Sequence, residues 1–335
     1  YAQHIMKRLA AFGAAAATGI AAFYSYNGSK KVEHKASPTY LGYHFNDEGQ
    51  LRQVDSDKPF EWNGASHYDA LGDWVTDHIQ DAMKDRGLEE HFVPSSKSPH
   101  VNIFFKKHPL DSSDNLIFLV QGSGAVRAGQ WARSLCINDS LSTGSMLPLI
   151  DWISDEGFSV LVANPNLNVD GHSKIPGSES PEAHTLFCWD SYSPDFSQVV
   201  IVAHSYGGKS VFDLISSRFD SIKDKVKYIV FTDSVHGKYS CHEKLSPEQL
   251  AWVRDHSINF VESSDPLNTP YGIVHGTPCL SAGHTDHVYT TACSQPSFTR
   301  IIKTVLSPSD SSSSSLNSPF IPTTTTTLPP LLLDD

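Results

Sequence analysis

The sequence has few cysteines and lacks the usual metal-binding patterns. Its five cysteines are odd in number, widely spaced and form no Cys-x-x-Cys motif. This pattern disfavours a disulfide framework or a structural zinc site and predicts mostly reduced thiols. No His-x-x-x-His pair or carboxylate cluster supports a metal site that would use His236, His242, His284, Asp286 or His287. We therefore predict neither a metal nor a cofactor.

Positive charge is also scarce. Aspartate and glutamate number 37 against 25 lysines and arginines, which gives a net charge of −12, and no basic run exceeds two residues. Proteins that bind nucleic acid neutralise phosphates with clustered lysine and arginine. Direct nucleic-acid binding is therefore not expected, and protein partners, including basic ones, are favoured.

The composition divides the chain of 335 residues into three parts. Residues 1–35 contain Lys7-Arg8 followed by an alanine-rich apolar segment, which predicts a secretory signal or membrane anchor, with a mitochondrial presequence as the alternative. Contact with a membrane is expected only through this segment. Residues 36–306 are predicted to form one α/β domain. Residues 307–335 are dominated by Ser, Thr and Pro and are predicted to be disordered.

Apolar patterns within the central part alternate between strand and helix periods. A β-hairpin over 41–60 is predicted to edge the sheet, and 166–181 is predicted to be a surface loop. Strands are predicted at 101–105, 116–120, 158–163, 198–204, 227–232 and 258–261, and helices at 66–84, 129–135, 145–156, 181–192, 206–219, 246–256 and 297–306. This alternation predicts a mostly parallel sheet with helices on both faces.

The stretch from Gln198 to Phe219 contains the strongest functional pattern. An apolar strand runs to His204, and a helix with one apolar stripe begins shortly after it. Ser205 stands between them, with Ala203 and Gly207 two residues to either side. Small residues at these positions are typical of a nucleophile elbow, a strained strand-to-helix turn that presents a reactive serine.

A glycine-rich turn follows the strand over 116–120. Its sequence is Gln121-Gly-Ser-Gly, which would present backbone N–H groups at the carboxyl edge of the sheet. We predict an oxyanion hole formed by Gly122 and Ser123 together with the N–H of Tyr206. A phosphate-binding turn is the alternative, but the third glycine and the following lysine of such motifs are missing.

A serine nucleophile needs a base and an acid that orients it, and in α/β-hydrolases these follow in the order Ser, Asp or Glu, His. Asp265, just past a predicted strand, is the first choice of acid, and Asp233 is the alternative. For the base, His287 is favoured over His284. His204 is predicted to point to the opposite side of the strand end and not to act as the base.

Five ordered motifs between about Leu41 and Leu306 resemble the Arb2 domain family, and within it the animal cotranscriptional regulators. The motifs are Gly122-Ser-Gly-Ala-Val-Arg-Ala-Gly-Gln-Trp-Ala-Arg133, Ala163-Asn-Pro-Asn166, Ala203-His-Ser-Tyr-Gly-Gly208, Thr232-Asp-Ser-Val-His236, and Ser281-Ala-Gly283 with His287. Two features depart from the family pattern. Gln121 stands where relatives have histidine, and the loop after Asn166 lacks a long charged insertion.

The resemblance implies an α/β-hydrolase-like fold with Ser205 as the proposed nucleophile. It also implies protein partners, namely Argonaute, chromatin or splicing proteins, and a nuclear or cytoplasmic location, whereas residues 1–35 favour the secretory pathway or a membrane. Two functions remain open. One is a serine hydrolase that acts on a small acyl ester, thioester or amide; the other is a non-catalytic adaptor in gene silencing or alternative splicing.

Overall fold

A computed structural model of the protein describes residues 39–97, 99–108 and 114–306. The predicted targeting or anchor segment, residues 1–35, and the predicted disordered tail, residues 307–335, lie outside the described residues. Within the described ranges, no helix is both long and apolar enough to cross a bilayer.

Strands and helices alternate through most of the chain, as predicted. The strands are β1 Tyr43–Phe45, β2 Leu51–Gln53, β3 Glu89–Val93, β4 Val101–Lys106, β5 Asn115–Val120, β6 Ser159–Val162, β7 Val169–Asp170, β8 Ser173–Lys174, β9 Gln198–His204, β10 Val226–Thr232, β11 Ser257–Val261, β12 Pro270–Val274 and β13 Thr277–Ser281. The α-helices are α1 Ala65–Asp85, α2 Arg133–Asn138, α3 Leu141–Gly144, α4 Leu147–Asp155, α5 Pro181–Tyr192, α6 Tyr206–Lys225, α7 Pro247–His256 and α8 Thr290–Leu306.

One nine-stranded sheet forms the centre of the domain, in the order β12-β13-β11-β10-β9-β5-β6-β4-β3. The strands from β13 to β6 in this order pair in parallel, and antiparallel pairing is confined to β12 at one end and to β4 and β3 at the other. Parallel strands end at the same edge, so the carboxyl ends of β5, β9 and β10 meet there. The predicted α/β-hydrolase-like, mostly parallel sheet is confirmed.

Helices cover both faces of the sheet, and the central strands show why. In β9, Val200 and Val202 pack on one face with α1, α4 and α8. Val199, Ile201 and Ala203 pack on the other face with α5, α6 and α7. All five side chains are fully buried, as expected of a parallel strand that is covered on both sides.

The predicted hairpin exists, but it does not edge the sheet. Strands β1 and β2 form a separate two-stranded sheet. Phe45 packs against Trp74 and His78 of α1, with ring centroids 5.5 and 4.8 Å apart. The apolar face of the hairpin is thus buried on a helix, and the prediction of its place was wrong.

The sequence prediction also missed three strands of the nine-stranded sheet and misjudged three other segments. Strands β3, β12 and β13 were not predicted; β12 is an exposed edge strand that contains both Pro270 and Gly272, residues that weaken a strand pattern. The last helix begins at Thr290 and continues through Pro296, not at Ser297 as predicted. The helix predicted over 129–135 is displaced to α2, and the loop over 166–181 contains the two-residue strands β7 and β8.

The corner between β9 and α6 is held by a close backbone contact. A Cβ atom on Gly207 would lie 2.4 Å from the carbonyl oxygen of Val120 and 2.8 Å from that of Gln121. Because backbone atoms cannot move away as a flexible side chain can, only glycine allows α6 to approach the end of β5 this closely.

Gly207→Ala should therefore destabilise the domain, by about 2 kcal/mol or more, since it overpacks a rigid backbone contact. Urea denaturation would measure the change in the free energy of unfolding. Ser216→Ala, at an exposed position of the same helix, is the control and should change it little. Equal effects of the two substitutions would contradict this account of the corner.

His184 of α5 ties the end of β6 to the loop before α5. Its Nε2 accepts a hydrogen bond from the N–H of Asn164 at 2.9 Å, and its Nδ1 lies 3.0 Å from the hydroxyl of Ser178. Burial lowers the pKa of His184 to about 3, so the ring is neutral in the folded protein.

Acid should destabilise the domain partly through this histidine. The pKa of His184 in the folded state lies below its unfolded value of about 6.5. The contribution of the neutral ring to the free energy of unfolding is therefore complete above pH 6.5 and is lost as the pH falls toward 3. The loss is at most about 1.4 kcal/mol per pH unit. His184→Gln should flatten the fall in the free energy of unfolding between pH 6.5 and 4.5. His172→Gln, at an exposed position, should not, and an unchanged slope in His184→Gln would refute the assignment.

Candidate active site

Ser205 occupies a strained backbone position at the corner between β9 and α6. Its φ and ψ angles are 53° and −118°, a region that residues with a Cβ atom rarely adopt. Its N–H donates to the carbonyl oxygen of Thr232 at 3.0 Å, and its own carbonyl accepts from Gly208 at 3.1 Å. These bonds to the neighbouring strand and helix hold the turn, which is the geometry of a nucleophile elbow.

His287 lies directly against the hydroxyl of Ser205. The distance from Nε2 of His287 to Oγ of Ser205 is 2.9 Å. His287 begins a short 3-10 turn, His287–Tyr289, in which the side chain of Asp286 accepts from the N–H of Val288. This turn leads into α8 and fixes the histidine above the end of β9.

Asp233 contacts the other ring nitrogen of His287. Its Oδ2 lies 2.5 Å from Nδ1, and its Oδ1 accepts from the N–H of Glu262 at 3.3 Å. Asp233 follows the last residue of β10 and has a φ of 46°. Since β10 pairs directly with β9, Asp233 follows the strand next to the one that leads to Ser205.

The structure does not bring Asp265 to His287, which corrects the first choice of acid. The Asp265 carboxylate accepts from the hydroxyl of Tyr271 in β12 at 2.6 Å. Asp265 lies four residues beyond the end of β11, which is one strand further from β9 than β10 is. The alternative acid, Asp233, holds the expected position instead.

The alternative base is likewise placed apart from the serine. Nδ1 of His284 accepts from the N–H of Asp286 at 3.0 Å, and its ring packs against Tyr289 with centroids 4.4 Å apart. His284 therefore shapes the loop before His287. Of the two candidate bases, the favoured His287 is the one in contact with Ser205.

His204 does not point away from the site as predicted. Its ring lies against that of His287, with centroids 4.8 Å apart and an angle of 33° between the planes. Nδ1 of His204 lies 2.9 Å from the carbonyl oxygen of Thr232, to which it can donate. Burial, and to a lesser degree the neighbouring His287, lowers the pKa of His204 to about 3. The neutral ring of His204 therefore packs against the ring of His287.

The glycine-rich turn lies beside the serine. A Cβ atom on Gly122 would be 2.9 Å from Cβ of Ser205, so the turn approaches the serine backbone closely. Tyr206 is the first residue of α6, where the backbone N–H has no acceptor within the helix. The predicted oxyanion residues Gly122, Ser123 and Tyr206 are therefore adjacent to Ser205 in space or sequence.

Asn166, which the sequence prediction did not assign to the site, braces this turn. Its side-chain nitrogen donates to the carbonyl oxygens of Gly122 at 2.7 Å and Val126 at 3.2 Å. Gln121 is buried with neither side-chain polar atom hydrogen-bonded among the described residues. The signal for Asn166 was its position just after β6, at the same sheet edge as the other site residues.

A cavity of about 280 Å³ opens on Ser205 and His287. Its walls come from five parts of the fold: the glycine-rich turn, the chain around α2, the first turn of α1, the end of β9 with Ser205, and the turn that begins at His287. Six of its lining residues are Tyr68, Gly122, Val126, Trp131, Arg133 and His204. The hydroxyl of Ser205 is thus positioned for contact with a small ligand.

Protein comparisons place this domain in a family. The Arb2 domain model matches residues 35–170 and 166–267. The chain is 35% identical to a Dictyostelium discoideum protein named as a homolog of the cotranscriptional regulator ARB2A, with 79% of each chain covered. It is 30% identical to the human cotranscriptional regulator ARB2A, over 82% of this chain and 81% of the human one.

Among solved structures, a histone deacetylase from Saccharomyces cerevisiae aligns with 73% of this chain and 99% of that chain, at 13% identity and a TM-score of 0.46. The family model covers well over half of the sequence and includes Ser205, Asp233 and the glycine-rich turn. The resemblance read from the five sequence motifs is confirmed, and the chain belongs to the Arb2 domain family.

Proposed function

We propose that this protein is a serine hydrolase that cleaves an ester, thioester or amide. The observation that carries the proposal is the continuous contact from Ser205 Oγ through His287 to Asp233, at 2.9 and 2.5 Å. The order Ser, Asp, His along the chain is that of α/β-hydrolases. A nucleophile, its base and an orienting acid in hydrogen-bond reach are what acyl transfer through a covalent intermediate requires.

The geometry supports a two-step reaction. His287 Nε2 takes the proton of Ser205 as Oγ attacks the substrate carbonyl, and Asp233 stabilises the imidazolium that forms. The negative charge on the carbonyl oxygen is stabilised by backbone N–H groups of Tyr206 and the Gly122–Ser123 turn, each worth roughly 3 kcal/mol in the transition state. His287 then returns the proton to the leaving group. Water cleaves the acyl-Ser205 ester by the same sequence and releases the acid.

A fluorophosphonate probe should label the purified protein at Ser205, because such probes react with activated serines. Ser205→Ala should abolish labelling, and Asp233→Asn should slow it by at least about tenfold, since the histidine loses its orienting acid. Asp265→Asn is the matched control and should label at the normal rate. Labelling that persists in Ser205→Ala, or slows equally in the two aspartate variants, would sink the assignment.

A second role, as an adaptor in a protein assembly, is supported by the names of the relatives. The matched proteins are named cotranscriptional regulators, a function carried out with protein partners. The acidic composition, with a net charge of −12, favours basic protein partners such as chromatin or splicing factors over nucleic acid. Argonaute is a further candidate on the family resemblance. This role is compatible with hydrolysis.

The two roles separate in a complementation experiment. If binding alone is required, Ser205→Ala should restore a cell that lacks the protein as fully as the wild-type chain does. Folding of the variant would be checked by thermal unfolding. A folded Ser205→Ala protein that fails to restore the phenotype would instead assign the biological role to catalysis.

A further inference from the structure

The cavity beside Ser205 differs in charge from the acidic chain as a whole. Its described lining includes no aspartate or glutamate, although acidic residues outnumber basic ones in the chain as a whole. His204 is neutral because burial lowers its pKa to about 3. Arg133 is therefore the lining residue with a permanent charge, and that charge is positive.

Arg133 is held in place by contacts that leave part of its guanidinium group available. Its side chain is 17% exposed, its Nη2 donates to Asp69 at 3.1 Å, and its guanidinium lies over the ring of Tyr68 at 5.0 Å. Asp69 itself is 64% exposed and does not line the cavity. A guanidinium has five N–H donors, so this pairing leaves donors for a second acceptor.

Helix α1 is shaped to accommodate this side chain. A Cβ atom on Gly72 would lie 2.8 Å from Nη1 of Arg133 and 2.9 Å from its Cδ. Any larger residue at Gly72 would force the Arg133 side chain to move. The absence of a side chain there lets the guanidinium pack between the α1 backbone at Gly72 and the ring of Tyr68, a residue of the same helix. Tyr68 also lines the cavity.

The size of the cavity limits what the arginine can recognise. At about 280 Å³ it lies just below the usual range for small-molecule sites, about 300–1,000 Å³. During the two-step reaction the acyl group stays bonded to Ser205 while the alcohol, thiol or amine departs. A cavity of this size that opens on Ser205 can hold a short acyl group through both steps.

We propose that Arg133 selects substrates whose short acyl group ends in a carboxylate, so that the substrate class is a half-ester, half-thioester or half-amide of a small dicarboxylic acid. The carboxylate pairs with the guanidinium as the carbonyl carbon reaches Ser205 Oγ. Hydrolysis releases the dicarboxylate and the alcohol, thiol or amine. This inference rests on the proposed hydrolase function and adds its specificity.

The test compares two esters of equal chain length, the mono-p-nitrophenyl ester of glutarate and p-nitrophenyl pentanoate. The rate measured with Ser205→Ala is subtracted to remove uncatalysed hydrolysis. The wild-type protein should favour the glutarate ester in kcat/KM by about tenfold or more, because a charge-assisted hydrogen bond forms with one substrate only. Arg133→Gln should lose this preference and Arg133→Lys should keep part of it.

Two further variants guard against a purely structural effect. Asp69→Asn removes the competing carboxylate and leaves the arginine in place, so it should maintain or raise the preference for the glutarate ester. This test of Arg133 does not depend on whether Arg133→Gln folds. Arg218→Gln removes a guanidinium that pairs with Asp190 on the surface, and it should leave both rates unchanged. Circular dichroism of each variant would report its folding.

The outcomes distinguish this inference from the function on which it rests. Three results would overturn the assignment to Arg133 but leave the proposed hydrolase function intact. They are equal rates for the two esters, a preference that survives in folded Arg133→Gln, and a preference seen only when the carboxylate is moved to the leaving alcohol. A loss of the preference in Asp69→Asn would count against it as well. If neither ester is hydrolysed and the probe does not label Ser205, both proposals fall.

Discussion

The close contact between Gly207 and the carbonyl oxygen of Val120 is the constraint on which the candidate site depends. It brings the start of α6 against the end of β5, and in doing so it sets the glycine-rich turn beside Ser205. The glycine-rich turn and the serine corner therefore form a single backbone arrangement at the ends of two neighbouring strands. Asn166 also holds the turn, through its bonds to the carbonyl oxygens of Gly122 and Val126.

Local patterns were sufficient to predict the serine corner and the histidine that contacts it. The apolar run of β9, the stripe on α6 and the small residues around Ser205 are all encoded within about twenty neighbouring residues, and burial on both faces follows from them. His287 could be placed because a histidine after the last strand is expected in this fold. The overall alternation of strands and helices was predictable for the same reason.

Local patterns could not rank Asp233 above Asp265 as the carboxylate beside His287, because that contact joins residues distant in sequence. The Asp265 carboxylate accepts from Tyr271, which belongs to the edge strand β12. That strand has too little apolar pattern to be recognised from the sequence. The packing of His204 on His287 and of Arg133 on Tyr68 also joins residues that lie far apart in the chain. Such contacts depend on the order of the strands in the sheet, which cannot be deduced from local sequence patterns.

The positive φ of Ser205 has a consequence for how such a chain can change over generations. A residue with a Cβ atom in this conformation carries a strain of about 1 to 3 kcal/mol that glycine would relieve. A lineage that used the domain only as a scaffold would gain stability from the single codon change that converts this serine to glycine. Retention of serine at this position would therefore indicate that the hydroxyl is still used, and replacement by glycine would indicate that it is not.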